Sequence, residues 1–501
     1  MSSALSFYRW AFTPLSPIHI GTGEVFEPTQ YVVEQGDLCE FDTAALSRVL
    51  QEKDRRELLQ IVTSKDSTDM ILAVQRFFLD RKDRLLPITR QGIPLSVGYQ
   101  ELYGSRIGRV TADQGQDRKI FHSLAIKRTA YQLVDGLPYL PGSSVKGAIR
   151  TALLHAVNRG RGAQGDRDGL HALQSRLLDY RNDRGSWRLE RDPLRQLRIG
   201  DAVPGESKIP RRVYQAVNRK KEPLIARSPE QRGTPGRTSP DECLECLLPQ
   251  NLAFVGSIEI QQLQRTLNGF AGRIPSRSFT MTDIAAACNA FYRQEILSTE
   301  IRQMQERGHL DPAWQQAVMS FLEENESLIR AGKGFLLRIG HHVGAEAVTL
   351  PGMRRIRIQR RTDPLDHATT WWMAAEQGKG QEGRLLPFGW VFVEVQDASS
   401  GSQEWQGKPF SYAVHLPEPV PESAPPPVSA PARWEGRLKY RRQTGTLSTE
   451  DGQASATGEA VHKILGSLPA AIQRKLEENQ CFYKFLVVIE GKEIVSVEKK
   501  S

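Results

Sequence analysis

One segment combines turn residues, hydroxyls and cations at a spacing that suits phosphate binding: PGSSVKGAIR, residues 141–150. It follows an apolar stretch that predicts a hairpin and runs into residues with helical spacing. Ser143 or Ser144 is expected to cap the first helical turn. Lys146 and Arg150 stand four residues apart, so they share one helix face. Free N–H groups, hydroxyls and two cations would suit a phosphate, whereas the alternative is a capped helix without a ligand.

Histidines beside glycine-rich turns are the other candidates for chemistry. His19 lies between two isoleucines in PIHIG, so on a strand its side chain would face away from theirs. His341 and His342 follow Gly340 in a second glycine-rich segment and could donate hydrogen bonds to phosphate as readily as transfer protons. General acid–base catalysis needs a positioned partner group, and the sequence around these histidines does not supply one.

Positive charge is in modest excess and clusters in two places. The 501 residues include 67 Lys and Arg against 58 Asp and Glu, a net charge of +9. Residues 205–240 hold nine cations, Arg211 and Arg212 among them, against three Glu. We interpret this stretch as a mobile basic loop that could close on nucleic-acid phosphates, with a solvated insertion as the alternative. Alternation in RRIRIQRR, residues 354–361, predicts a strand with one basic face.

Cysteine usage and hydropathy narrow the class of protein. Five cysteines in a chain of this length indicate no disulfide framework. Cys243 and Cys246 form one CxxC pair without a second, and the leucines around them favour a buried element over a zinc site. The N-terminus lacks the pattern of a signal segment, and no apolar run reaches membrane-spanning length. We therefore expect a cytoplasmic protein with no metal and no cofactor.

Strand and helix patterns interleave along the first 415 residues, which predicts the α+β fold class with helices on one face of an antiparallel sheet. Residues 5–42 are predicted strands, with a hairpin that turns at Gly36-Asp37. Helical insertions are expected at about 43–118 and 281–331. The segment 335–395 returns to strands and glycine-rich turns.

The C-terminal part has a different composition. Seven of the fifteen residues from Pro417 to Pro431 are proline, so we predict an extended linker at 416–432 that reaches on the order of 45 Å. Residues 433–501 have the order of three strands, a helix and a hairpin, which suits a small β-rich, OB-like domain. Trp434 and Tyr440 would supply a stacking surface for nucleic-acid bases, whereas the alternative is a domain with a protein partner.

Taken together, the motifs resemble the RAMP superfamily of CRISPR-associated RNA-binding proteins. The resemblance rests on LSPIHIGTGEVFEPTQYVV (residues 15–33), PGSS-x-KG, GFLLRIGHHVG (334–344) and LLPFGWVFVEV (385–395), in this order. The order is most similar to that of the family that forms the fifth subunit of type III-A Csm complexes. The resemblance covers roughly residues 5–415, so the C-terminal domain is a departure from the family.

The resemblance implies a ferredoxin-like or RRM-like sheet that binds RNA as a single strand, through phosphate contacts and stacked bases. In the Csm complex the similar subunit caps the 3′ side of the guide RNA at the end of the backbone filament. The implied partners are crRNA, target RNA and other RAMP backbone subunits. The residues expected to bind RNA are His19, Gly21, Thr22, Gly23, Lys127, Arg128, Ser143, Ser144, Lys146, Arg150, Arg211, Arg212, Arg338, Gly340, His341, His342, Arg354 and Arg355.

An endoribonuclease that processes or cleaves RNA is the alternative function within the superfamily. A repeat-cleaving RAMP endonuclease uses a histidine, for which His19 would be the candidate. The main backbone RAMP subunit cleaves target RNA with an Asp after its first glycine-rich turn. The matching stretch here, GEVFEPTQ, offers Glu24 and Glu27 and no Asp. We therefore expect a subunit without catalytic residues; a scaffold that only joins protein subunits is a third hypothesis.

Overall fold

Two compact units make up the chain, Met1–Pro417 and Glu418–Ser501. The computed structural model describes residues 4–64, 67–90, 92–108, 124–158, 169–180, 188–205, 209–221, 242–249, 253–262, 275–357, 363–377, 384–397, 407–410, 412, 432–441, 446–450, 454–457, 459–477, 484–490 and 493–499. The predicted linker lies outside the described residues except for its last position. Within the described residues, no helix is long and apolar enough to cross a membrane.

The first unit alternates strands and helices. Its strands are β1 (Ala4–Pro14), β2 (Gly21–Phe26), β3 (Tyr31–Glu34), β4 (Asp37–Glu40), β5 (Ile93–Pro94), β6 (Ile126–Thr129), β7 (Leu197–Ile199), β8 (Val203–Pro204), β9 (Arg211–Lys220), β10 (Glu242–Leu247), β11 (Phe254–Gln262), β12 (Gly334–Arg338), β13 (Thr370–Ala375), β14 (Leu386–Pro387) and β15 (Trp390–Asp397). Its helices are α1 (Leu46–Val49), α2 (Glu52–Ser64), α3 (Ser67–Leu79), α4 (Lys82–Leu85), α5 (Val97–Arg106), α6 (Gly142–Val157), α7 (Gly169–Leu177), α8 (Met281–Cys288), a π-helical segment (Asn289–Leu297), α9 (Ser298–Glu306), α10 (Pro312–Glu324) and α11 (Glu326–Arg330).

Two larger sheets form the body of this unit. The first has the order β12-β15-β1-β11-β7, with β8 also on β11, and is antiparallel throughout. Without β8 and β12, the strands of this sheet and two helices between them occur in the order β1, α6, β7, β11, α8, β15, with the elements of the other sheets inserted. This is the β-α-β-β-α-β order of a ferredoxin-like fold. The second sheet has the order β14-β13-β9-β10-β6-β2, and only β10 and β6 are parallel. The predicted α+β, ferredoxin-like fold class is confirmed.

Helix α6 belongs to this fold because one of its faces is apolar. Val145, Ile149 and Leu153 recur at intervals of four and pack with Trp10 and Phe12 of β1 in the main hydrophobic core. Tight contact at the start of the helix requires Gly142, since a Cβ there would overlap the carbonyl oxygen of Ile199. The opposite face of α6 therefore does not take part in this core packing.

Three local predictions differ from the structure. The hairpin of β3 and β4 turns at Gln35-Gly36, not at Gly36-Asp37, because Glu34 pairs with Asp37 and both turn residues have positive φ, 48° and 84°. Residues 211–220, predicted as part of a mobile loop, form the central strand β9. The strand predicted at 354–361 is absent over its described part, where only Ile356 forms an isolated bridge.

The CxxC pair occupies β10, where alternate residues face opposite sides. Cys243 packs in one hydrophobic cluster with Tyr99, whereas Cys246 packs in the main core. Both thiols are buried, as the neighbouring leucines predict. Because the two residues belong to different clusters, they do not face one another as ligands of one ion would.

The second unit has an OB-like topology. Its strands are β16 (Ala432–Gly436), β17 (Leu438–Arg441), β18 (Thr446–Thr449), β19 (Ser455–Ala456), β20 (Phe485–Glu490) and β21 (Glu493–Lys499), and its helices are α12 (Glu459–Gly466) and α13 (Ala470–Glu477). The sheet order is β16-β20-β21-β19-β18-β17. One residue, Arg437, separates β16 from β17, so the two are halves of one bent strand that pairs at both ends of the sheet. Counting β16 and β17 as one strand, helices α12 and α13 lie between the third strand, β19, and the fourth, β20, as predicted.

Candidate nucleic-acid interface

A cavity of about 670 Å³ lies where the sequence motifs converge. Four segments line it: the chain around β2, strand β6, the open face of α6 and the loop after β12. The lining residues are His19, Ile20, Gly21, Gly23, Glu24, Val25, Lys127, Arg128, Ser144, Gly147, Ala148, Thr151, Arg338, Ile339, Gly340, His341, Val343 and Val348. The structure thus brings together three motifs that are more than a hundred residues apart in sequence.

Backbone contacts hold these segments in place. The His341 N–H donates to the carbonyl oxygen of His19 at 2.7 Å. Gly340 has φ +97°, and a Cβ at this position would overlap the same carbonyl oxygen. Ile18 and Leu247 exchange a pair of backbone hydrogen bonds, 3.1 and 2.9 Å long, which join the chain before β2 to β10. The walls are therefore fixed by main-chain geometry rather than by side-chain packing alone.

Two cations of β6 line the cavity. Lys127 places its Nζ 3.0 Å from Oε1 of Glu242 and remains nearly half exposed. The Arg128 guanidinium lies over the rings of Phe26 and Tyr131, at 4.3 and 4.2 Å from their centroids. An ion pair of 3.4 Å with Glu40 also restrains it. Arg128 is thus held in one position, while Lys127 is the more accessible of the two cations.

The start of α6 differs from its prediction. Its N-cap residue is Pro141, which supplies no side-chain cap, so the expected capping by Ser143 or Ser144 is wrong. The Gly142 N–H instead donates to Oδ1 of Asp201 at 2.7 Å. Ser144 instead lies on the cavity wall, whereas Ser143 lines a second cavity of about 530 Å³.

Lys146 and Arg150 share one face of α6, as their spacing predicts, but this face packs on a neighbouring segment. Lys146 donates from Nζ to the carbonyl oxygen of Leu197 at 2.8 Å, and Arg150 binds Oδ2 of Asp192 at 2.8 and 2.9 Å. Burial lowers the pKa of the Lys146 ammonium. Neither residue lines the cavity of the converging motifs; Lys146 lines the second one. The phosphate site expected from these two cations is already occupied by protein oxygens.

The histidines have different surroundings. His19 is 1% exposed and its Nδ1 lies 2.8 Å from the carbonyl oxygen of Glu245, an arrangement in which the ring donates. Burial lowers the pKa of His19 to about 4, so the ring is neutral at pH 7 and a weak base. His342 is buried against Trp372, stacked at 4.9 Å, whereas the side chain of His341 is 46% exposed.

Glycine, threonine and glutamate shape the turn at β2. Gly23 has φ +89°, a backbone conformation that favours glycine. Thr22 accepts a hydrogen bond from the Glu24 N–H at 3.1 Å, so Thr22 braces the turn and does not line the cavity. Oε2 of Glu24 accepts from the Tyr131 hydroxyl at 2.6 Å. The carboxylate of Glu24 is thus engaged at the cavity edge.

Several other expected RNA ligands have protein partners away from solvent. Half-buried Arg211 pairs with Glu245 at 2.9 Å, and buried Arg212 pairs with Glu376, both on β9. Carboxylates from distant segments thus bind both guanidiniums, and neither residue lines the cavity of the converging motifs. Arg338 lines the cavity but is 3% exposed.

Arg338 forms a buried ion pair with Glu300 and donates to the carbonyl oxygen of Phe388 at 3.0 Å. Arg354 bonds Thr349 at 3.2 Å and lines a separate cavity with Lys221. Arg355 is exposed and does not line the cavity of the converging motifs. Among the predicted arginines, only Arg128 and Arg338 therefore reach that cavity.

Some functional residues of the site are not among those expected from the sequence to bind RNA. Gly147 and Thr151 lie on the open face of α6, three and seven residues after Ser144. Helical spacing from Ser144 would have identified both. Glu242 contacts Lys127, His341 and His342. No local pattern indicates this role, because the partners of Glu242 come from strand β6 and from the loop after β12.

Comparison with known proteins identifies the superfamily. Among solved structures, a chain of a Csm–crRNA–target RNA ternary complex of a type III-A CRISPR-Cas system is 19% identical, with a TM-score of 0.42, over 78% of this chain and 100% of that chain. Csm5 of T. onnurineus is 18% identical, with a TM-score of 0.40, over 76% and 99% of the two chains. No curated protein sequence matches. A sequence model of the RAMP superfamily matches residues 11–302, more than half of the chain, which therefore belongs to the RAMP superfamily.

Proposed function

We propose that this chain is a non-catalytic subunit of a type III CRISPR effector complex that binds guide RNA in the cavity of the converging motifs. The observation that carries the proposal is the meeting of the turn at Gly21-Thr22-Gly23, the open face of α6 and the loop at Gly340 around one cavity. Membership in the RAMP superfamily and the motif order support an RNA ligand and a type III system. The partners would be crRNA, target RNA and further RAMP subunits.

The chemistry of the lining suits a single strand of RNA. Lys127 and Arg128 supply positive charge, and the hydroxyls of Ser144 and Thr151 can donate to phosphate or ribose oxygens. His341 adds an exposed imidazole at the rim. The volume falls within the range of about 300–1,000 Å³ that small-molecule sites occupy, so it fits a short piece of a strand rather than a duplex.

The side chains of the cavity favour RNA binding without cleavage. His19 is buried and neutral, and its Nδ1 is engaged with a backbone carbonyl. Glu24 accepts a hydrogen bond from Tyr131. A general base must have a pKa near the working pH, and the lowered pKa of His19 does not meet this condition.

A charge placed on the open face of α6 tests RNA binding. Gly147 is exposed, lines the cavity, and a Cβ there would meet no atom within 4 Å. Gly147→Glu should weaken binding of a single-stranded RNA at low salt at least tenfold, about 1.4 kcal/mol, because the carboxylate repels phosphates. Fluorescence anisotropy of a labelled RNA, at low and high salt, measures the change. The difference should shrink at high salt, where charge is screened.

Gly147→Gln is the matched control, since it adds the same bulk without the charge. We expect Gly147→Gln to keep most of the affinity and both variants to keep the fold. Equal affinity of the Glu variant and the unaltered protein would place RNA elsewhere. Equal loss in both variants would indicate a steric effect and leave the phosphate contact without support.

Within such a complex we assign this chain to the end of the backbone filament, on the 3′ side of the guide. Repeating subunits need two complementary faces, and head-to-tail contacts otherwise continue without limit. The helical insertions and the C-terminal unit are additions that would block one face. Native mass measurement of the assembled complex should therefore give one copy of this chain per guide. Several copies per guide, or metal-dependent cuts at regular spacing that vanish on changing Glu24, would contradict the capping role.

A further inference from the structure

Glu242, His341 and His342 bring three metal-ligating atoms together beside the cavity. Oε2 of Glu242 lies 3.4 Å from Nε2 of His341 and 3.1 Å from Nε2 of His342. All three atoms lie within 4.8 Å of one another. Glu242 begins β10 of the second sheet, whereas the histidines belong to the loop after β12 of the first. The cluster therefore joins two segments, β10 and the loop after β12, that are far apart in sequence.

The separations match those of a small tetrahedral site. Zinc binds imidazole nitrogen and carboxylate oxygen at about 2.0–2.2 Å, so two ligand atoms of a tetrahedral site stand about 3.3 Å apart. Both measured carboxylate–imidazole separations lie close to this value. The third separation, between the two imidazole nitrogens, is at most 4.8 Å, and the exposed His341 ring is the side chain that would move to shorten it.

The backbone places two consecutive imidazoles on the same side. His342 has φ +59°, a conformation that few residues other than glycine adopt. The rings of His341 and His342 consequently lie 3.9 Å apart between centroids. Side chains of neighbouring residues usually diverge, so this loop holds an arrangement that an extended chain would not give.

The surroundings of the cluster resemble the outer shell of a metal site. Lys127 bonds the other carboxylate oxygen, Oε1, at 3.0 Å and leaves Oε2 for the histidines. Trp372 stacks on His342 with an interplanar angle of 17° and fixes that ring. Outer groups that orient the ligating side chains in this way are typical of metal sites.

We infer that Glu242, His341 and His342 bind one first-row divalent cation, with Zn²⁺ the best match. Two imidazoles and one carboxylate suit zinc better than Mg²⁺ or Ca²⁺, which prefer sets of oxygen ligands. The positive charge of Lys127 further disfavours Mg²⁺ and Ca²⁺, whose binding depends mainly on electrostatic attraction to oxygen ligands. His341 lies on the cavity wall, so the fourth position would open to water or to a phosphate oxygen there. The ion would pin the loop after β12 to β10, whether or not RNA is bound.

Cobalt titration of the full chain, stripped of metal by a chelator, tests this site. Tetrahedral Co²⁺ has strong visible absorption, and Zn²⁺ should displace it. We expect one Co²⁺ per chain, with tetrahedral bands, and at least tenfold weaker binding in His341→Ala and in Glu242→Gln. The readout is independent of RNA, so failure of the guide-binding proposal would leave the result unaffected.

His367→Ala is the matched control, because His367 is a partly exposed histidine that pairs with one carboxylate, Asp366, at 2.6 Å. Its affinity for Co²⁺ should equal that of the unaltered protein. Melting without metal establishes that each variant folds; should Glu242→Gln fail to fold, the exposed His341→Ala decides alone. Absence of stoichiometric Co²⁺, or binding that both site variants leave unchanged, would overturn the inference and leave the cluster as hydrogen bonds only.

Discussion

At the scale of single residues, two glycines of the cavity differ in whether the backbone requires glycine. Gly340 combines a φ of +97° with a carbonyl oxygen, that of His19, at the place where a side chain would begin. Gly147 has helical geometry and open space around it. The first glycine is required by geometry, whereas the second leaves the cavity wall open at a position where the helix would tolerate a side chain.

Gly340→Ala should therefore destabilise the protein. The left-handed conformation alone costs an alanine about 1–2 kcal/mol, and the overlap with His19 adds to that, so we expect a loss of at least about 2 kcal/mol in the free energy of unfolding. Gly147→Ala serves as the control and should gain about 0.5–1 kcal/mol, since glycine is unfavourable inside a helix. Urea denaturation measures both. An unchanged free energy for Gly340→Ala would show that the loop relaxes around a side chain.

The residue types of the site could be predicted better than their contacts. The glycine turns and Ser144 line one cavity, as the motifs imply. Lys146 and Arg150 share a helix face, as their spacing predicts, yet that face lies on Leu197 and Asp192. Spacing determines which residues face the same way, but what covers that face depends on segments about fifty residues further along. Composition alone therefore cannot separate a phosphate ligand from an internal ion pair.

At the scale of elements, β9 shows why charge density misleads. Arg211 and Arg212 belong to a stretch with nine cations, which predicts a mobile basic loop, but both lie in a central strand. Their partners, Glu245 and Glu376, come from positions 34 and 164 residues away. Buried charges are tolerated when they are paired and hydrogen-bonded. A sequence window cannot contain such distant partners, so it assigns the strand to solvent.

Elements with strong periodicity could be predicted reliably. Helix α6 and the helical segment from Met281 to Glu306 occur close to their expected positions. Each buries a continuous apolar face that the sequence displays. The short strand predicted from RRIRIQRR lacks such a face, and its described part contributes only the bridge between Ile356 and Leu365.

At the scale of the whole molecule, the two units have separate hydrophobic cores. The core of the second unit includes Leu447, Val461, Leu476, Phe485 and Val487, and these residues pack among themselves. The main core of the first unit draws its residues from Trp10 to Tyr412. Each unit therefore has its own source of stability, as independently folding domains do.

A protein shortened to residues 1–417 should consequently stay folded and soluble. We expect its melting temperature to lie within about 2 °C of that of the corresponding transition in the full chain, because no core residue of the first unit is removed. Differential scanning calorimetry of both proteins measures this, and the full chain should show a second transition. Aggregation of the shortened protein, or a large fall in its melting temperature, would reveal a dependence on the second unit.

The backbone bonds between His341 and His19 and between Ile18 and Leu247 have a thermodynamic consequence for any ligand of the cavity. Ordering one residue of a flexible wall would cost roughly 1–2 kcal/mol in conformational entropy. Here the wall is already ordered before a ligand arrives, since main-chain atoms from both large sheets hold it. The entropic penalty of association then falls on the flexible RNA strand, and the protein contributes a preorganised surface.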